Sequence, residues 1–143
     1  MKPAHCMIHV RDLDRAVDFY GRALGFREVD RHRYDGATLA YLRGPASSFE
    51  IELIQPDRWP FESQPEPGRT HIAFVVDDLD HERIRLSHIG VESDPITDHF
   101  ANGAHQTRYF YFADLEGNQI EFLEAQGRYA GKKEEESHAE PVA

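Results

Sequence analysis

Apolar and polar residues alternate over residues 4–10, with Cys6, Ile8 and Val10 on one side and His5, Met7 and His9 on the other. A period of two is the signature of a β-strand with one buried face. Residues 70–76 repeat the pattern, setting Ile72, Phe74 and Val76 against His71, Ala73 and Val75. Each predicted strand leads into a predicted helix. Asp12 is placed as an N-cap, followed by early Asp14 and Asp18 and an apolar stripe of Val17, Tyr20, Ala23 and Leu24 that ends at Gly25. In the second copy Asp78 caps, Leu79, Ile84, Leu86 and Ile89 recur at near-helical spacing, and Gly90 stops the helix. Strand-like stretches follow at about 26–34, 37–43 and 48–55, broken at Asp35-Gly36 and Gly44-Pro45. Their second-half equivalents run at about 96–99, 106–113 and 118–124, broken at Asn102-Gly103 and Glu116-Gly117-Asn118. The unit is strand, helix, then three strands, and it occurs twice.

Between the copies, residues 56–69 carry four prolines, which forbid regular structure and mark a linker. The linker also holds the chain's one tryptophan, Trp59, together with Phe61, aromatics suited to pinning it to the core or covering a pocket mouth. From Gln126 the chain turns polar, with Lys132-Lys133-Glu134-Glu135-Glu136, so residues 126–143 read as a disordered tail without function. The remaining span, 1–125, reads as a single domain of two repeats, about 3–56 and 69–125.

Composition narrows the function. An apolar fraction of 40% supports a buried core, and no apolar run approaches the ~18 residues of a membrane span. No signal peptide is expected, and a lone cysteine, Cys6, fits a reducing, cytoplasmic setting. The net charge of -10 argues against nucleic acid, whose phosphates call for clustered Lys and Arg. A small-molecule substrate is the expected partner.

The repeats share more than their periodicity. His5 precedes Asp12-Leu13-Asp14 by the same interval that separates His71 from Asp78-Leu79-Asp80, and each copy closes on a similar motif, Ile51-Glu52-Leu53 and Ile120-Glu121-Phe122. If the flanking apolar residues pack on a helix, strand alternation sends Glu52, Glu121, His5 and His71 to the opposite face of their sheets. A carboxylate on a face meant for burial costs several kcal/mol unless it is paired or metal-bound. Two imidazoles and two carboxylates, with no thiolate, suit an ion such as Ni(II), Co(II), Fe(II), Mn(II) or Zn(II) with positions left for water or substrate.

These residues resemble the vicinal oxygen chelate superfamily of glyoxalase I, bleomycin-resistance proteins, extradiol dioxygenases, methylmalonyl-CoA epimerase and fosfomycin-resistance enzymes. The resemblance covers about residues 3–125 and is carried by four stretches. These are the run from His5 to Tyr20, then Phe49-Glu50-Ile51-Glu52-Leu53, Thr70-His71-Ile72-Ala73-Phe74 and the run from Tyr111 to Glu121. It implies an α+β fold of two βαβββ modules, a divalent metal on His5, Glu52, His71 and Glu121, and a homodimer in which ligands are often shared. Bacterial glyoxalase I is the nearest pattern, although its glutathione-binding arginine and asparagine are replaced by His9 and Pro56.

The expected chemistry is a metal-dependent lyase or isomerase that removes the proton beside a chelated carbonyl. Glu121, with Glu52 opposite, would move the proton. His9, Tyr109 and Tyr111 are candidate substrate contacts. An Fe(II) extradiol-type dioxygenase would use His5, His71 and Glu121, with Tyr111 and His99 or His105 as helpers, but Glu52 would fill a position that oxygen and substrate need. A non-catalytic drug- or metabolite-binding protein would have no use for the four ligands.

Overall fold

The structure is a computed structural model and describes residues 1–62 and 70–131. The chain runs β1 (His5–His9), α1 (Leu13–Leu24), β2 (Arg27–Tyr34), β3 (Ala37–Arg43) and β4 (Glu50–Pro56). It then repeats the order with β5 (His71–Val76), α2 (Leu79–His88), β6 (Thr97–Ala101), β7 (Ala104–Ala113) and β8 (Gln119–Glu124). Two four-stranded mixed sheets result, ordered β1-β4-β3-β2 and β5-β8-β7-β6, each with one parallel pair and two antiparallel pairs. This is the two-module α+β architecture. The chain forms two compact units, one built on β1–β4 and α1 and the other on β5–β8 and α2, and the turn Asp114–Gly117 belongs to the first.

Both helices start as expected. Asp12 Oδ1 accepts from the Arg15 amide at 3.0 Å and Asp78 Oδ1 from the His81 amide at 2.9 Å, satisfying amides that the first helical turn leaves unpaired. The buried stripe of α1 is Leu13, Ala16, Phe19, Tyr20 and Ala23, which corrects the predicted stripe: Val17 and Leu24 flank it half-buried. In α2 only Leu79 and Leu86 are buried, and Ile84, predicted to face inward, is 59% exposed. The reason is visible position by position from the caps. Glu82 and Arg85 stand where α1 has Ala16 and Phe19, and they form an ion pair at 2.7 Å.

The hairpins β2–β3 and β6–β7 turn on Asp35-Gly36 and Asn102-Gly103, all four residues at positive φ. Two-residue turns of this hand match the twist of the paired strands, so the ladders run up to the turn, with Tyr34 opposite Ala37 and Ala101 opposite Ala104. β6 and β7 are therefore longer at the turn than the sequence predicts. Residues 57–62 of the linker carry no regular structure. Contrary to the reading of a structureless tail, the chain beyond β8 makes a 3₁₀ turn over 127–131. It lies so close to β7 that a Cβ on Gly127 would meet the Gln106 carbonyl at 2.4 Å. Residues 63–69 and 132–143, where the rest of the linker and the tail were placed, lie outside the described residues. Among the described residues no helix is long and apolar enough to cross a membrane.

Candidate metal and substrate site

Ile51 and Leu53 are fully buried, and so is Ile120. Period two then turns Glu52 and Glu121 onto the other face of their sheets. The parallel pairings give the same offset in both units. Met7 is the register partner of Glu52 and Ala73 that of Glu121, so His5 and His71 each lie two residues earlier on the neighbouring strand. Their imidazoles reach the carboxylates directly: His5 Nε2 is 2.9 Å from Glu52 Oε2, and His71 Nε2 is 3.0 Å from Glu121 Oε2. The side chains match in exposure too, 43% and 41% for the histidines against 10% and 12% for the glutamates.

One module supplies one imidazole and one carboxylate. Among the described residues no three His, Cys, Asp or Glu side chains gather into a metal-holding group. The predicted four therefore appear as two pairs, one per unit. Their donor chemistry fits a borderline divalent ion, since each pair offers a ring nitrogen and a carboxylate oxygen facing one another, with the histidine open on one side.

A tyrosine stands beside each pair. Tyr41 on β3 is the register partner of Glu52, and Tyr111 on β7 that of Glu121. Their rings meet the histidine rings edge-on, at 5.9 Å and 77° for His5–Tyr41 and 5.4 Å and 74° for His71–Tyr111. Tyr111 was expected at the site from the sequence; Tyr41 was not. The available signal was its place on the strand preceding a glutamate strand, as for Tyr111. Tyr109 shares the face of Tyr111, and the two rings are 5.6 Å apart.

Burial raises the Glu121 carboxyl above its ordinary value, and the neighbouring His71 and, more weakly, His99 pull it back. Burial likewise raises Tyr111, with Glu121, Tyr109 and Tyr129 of the 3₁₀ turn adding to the effect. Tyr41 is raised by burial first and by Glu52 next. The Cys6 thiol, on the opposite face of β1, is raised by burial.

His9 lies on the same face as His5, its ring 4.9 Å from that of Phe61. Phe61 in turn stands 5.1 Å from Trp59, over which the Arg11 guanidinium sits at 4.6 Å. The indole N–H of Trp59 is buried with no hydrogen-bond partner among the described residues. His99 faces Tyr109 at 6.4 Å, whereas His105 is turned to Asp98, 2.9 Å away, and stands apart from the His–Glu pair. A groove of about 610 Å³ beside Tyr41 is lined by Arg27, Asp30, His32, Arg43 and Glu50. A larger one, about 710 Å³, follows α2 along Arg83, Ile84 and Ser87 and contains no histidine or tyrosine.

The sequence description of the glyoxalase/bleomycin resistance protein/dioxygenase superfamily matches residues 2–122. The chain belongs to this superfamily. A lactoylglutathione lyase of Haemophilus influenzae is 32% identical over 142 residues, covering 92% of this chain and 98% of that protein. Among solved structures, the trypanothione-dependent glyoxalase I of Leishmania major is 26% identical with a TM-score of 0.68, covering 94% of this chain and 93% of that one. TnmS3, an antibiotic-binding protein from Streptomyces sp. CB03234, also has a TM-score of 0.68, at 22% identity, covering 87% of this chain and 95% of that chain. That last likeness concerns the fold alone. The superfamily's own description names glyoxalases, resistance proteins and dioxygenases together, and the residues of the site must distinguish these readings.

Proposed function

We propose that this superfamily member is a divalent-metal-dependent lyase or isomerase of the glyoxalase and epimerase type. Its substrate would be a small α-hydroxycarbonyl compound or a relative that presents two neighbouring oxygens. The observation that carries this reading is the duplicated His–Glu contact, at 2.9 and 3.0 Å and at one register offset in both units. A binder needs no such set. Equivalence of the two pairs also favours four protein ligands over the three of an oxygenase site.

His5, Glu52, His71 and Glu121 would hold the ion, Ni, Co, Zn, Fe or Mn, brought together from two modules of one chain or across a homodimer. When bound, such an ion supplies Lewis-acid polarisation of the substrate carbonyl, which makes the adjacent C–H more acidic. Glu121 takes that proton and returns it, with Glu52 facing the other side of the substrate. A largely buried carboxylate suits the role, because it holds a proton more readily than one in water. His9, Tyr109 and Tyr111 would bound the substrate, and the phenols of Tyr109 and Tyr111 would donate to its oxygens. Residues 1–125 act as one domain in this reading, in a cytoplasmic protein.

Two measurements test it. Protein purified without chelator should carry a stoichiometric transition ion by elemental analysis. Glu121→Gln should abolish exchange of the α-proton with solvent deuterium, screened over hydroxyketones, thiol–ketoaldehyde adducts and acyl-CoA thioesters, while circular dichroism stays unchanged. Full exchange in that variant would end the proposed role of Glu121.

A further inference from the structure

We infer that Tyr41 and Tyr111 are positioning residues, each holding the orientation of its histidine ring through an edge-on aromatic contact. The inference rests on the ligand role proposed for His5 and His71 and adds residues that role does not name.

The need for such a contact follows from exposure. With more than two-fifths of each histidine side chain open to solvent, the sheet restrains the imidazole on one side. The carboxylate contact fixes only Nε2. Rocking of the ring about Nε2 can keep that contact while tilting the in-plane nitrogen lone pair to a new direction. The tyrosine ring restricts this motion. The two ring planes stand at 77° in one unit and 74° in the other, the perpendicular arrangement in which the edge of one ring meets the face of the other.

The tyrosines are themselves braced, and by different means. Tyr41 is stacked on His32 of β2 at 5.7 Å and 25°. Tyr111 is met by Tyr109 at 5.6 Å and 72°, and Tyr109 by His99 of β6. Each row of rings starts at the ligand histidine and ends at a histidine on the outer strand of its sheet. Separate side chains reach the same end in the two units. Only the first contact, tyrosine against ligand histidine, is common to both.

The test compares Tyr41→Leu and Tyr111→Leu with Tyr41→Phe and Tyr111→Phe in the full chain, using Co(II) as the probe. Partners that orient metal ligands are worth about 10–100-fold in affinity, so each Leu variant should bind Co(II) that much more weakly by calorimetry and shift the visible cobalt absorption. The Phe variants keep the ring and should retain both affinity and spectrum. Loss in Phe equal to loss in Leu would overturn the ring contact in favour of the hydroxyl. Unchanged binding in the Leu variants would overturn the inference outright. NMR of the metal-free proteins separates this from failure of the metal reading. If the parent protein binds no cobalt, the metal reading falls. The contact still predicts cross-peaks from the His5 and His71 ring protons to Tyr41 and Tyr111, and changed histidine ring shifts in the Leu variants alone; their absence would sink it.

Discussion

The two modules repeat one site on two unequal cores. Counted from the capping aspartates, Leu13 and Tyr20 of α1 correspond to Leu79 and Leu86 of α2, and all four are buried. Between them the helices diverge. Ala16 and Phe19 fill the first core, while Glu82 and Arg85 pair with each other, part-buried, in the second. Tyr20 also gains a partner from far along the chain, donating from its hydroxyl to Asp114 Oδ2 at 2.7 Å. Beside it, Glu116 accepts from the Arg11 amide at 2.7 Å. Despite these differences the His–Glu distances agree to 0.1 Å. The site geometry is therefore carried by strand register and side-chain alternation, which the modules share, and not by how deeply each helix is packed.

That comparison can be broken most forcefully in the cores. Leu53→Ala, in the better-packed first module, should cost toward the upper end of about 2–5 kcal/mol, and Leu86→Ala toward the lower end, by denaturant unfolding. Equal costs would show that the apparent difference in packing has no energetic content. A smaller effect is expected at the interaction that α2 lacks. Tyr20→Phe removes the hydrogen bond to the buried Asp114, whose Oδ1 still accepts from the Glu116 amide, a loss of about 1–3 kcal/mol. Burial, and next the Asp114 charge, push the Tyr20 phenol well above its ordinary value of 10. Because the folded state holds this proton more tightly, its contribution is complete below about pH 10 and is lost as the pH rises further. The stability gap between parent and Tyr20→Phe should narrow in alkaline solution, and a gap that widens there would contradict the assignment. The smallest effect sharpens what the modules share. Asp12→Ala and Asp78→Ala should each cost about 1 kcal/mol and nearly the same amount, since the caps accept at 3.0 and 2.9 Å. A clearly smaller cost at Asp78 would show that the second helix frays before its cap matters.

Much of this was legible beforehand. The His–Glu pairs could be found because a β-strand has a period of two and the motif occurs twice, so that His5 and Glu52 predicted the behaviour of His71 and Glu121. The hairpins could be found because Asp-Gly and Asn-Gly favour the positive φ that tight turns demand. The inward residues of α2 were less accessible, since Ile84 fits a helical stripe as well as a buried residue would. Tyr41 was hidden for another reason: its neighbours in space are on β1 and β4, and no local pattern marks a register partner across strands.

By itself, the amino-acid sequence determined the order of elements, the doubling of the βαβββ unit, the helix caps, and which side of each sheet carries the histidines and glutamates. These follow from interactions between residues close along the chain, whose periods and turn preferences are local. Tertiary structure decided the offset that brings each imidazole to its carboxylate, the tyrosine standing against each histidine, and the docking of Asp114–Gly117 with the first unit. Those depend on pairing between distant segments, where a shift of one residue would turn every one of these side chains to the opposite face.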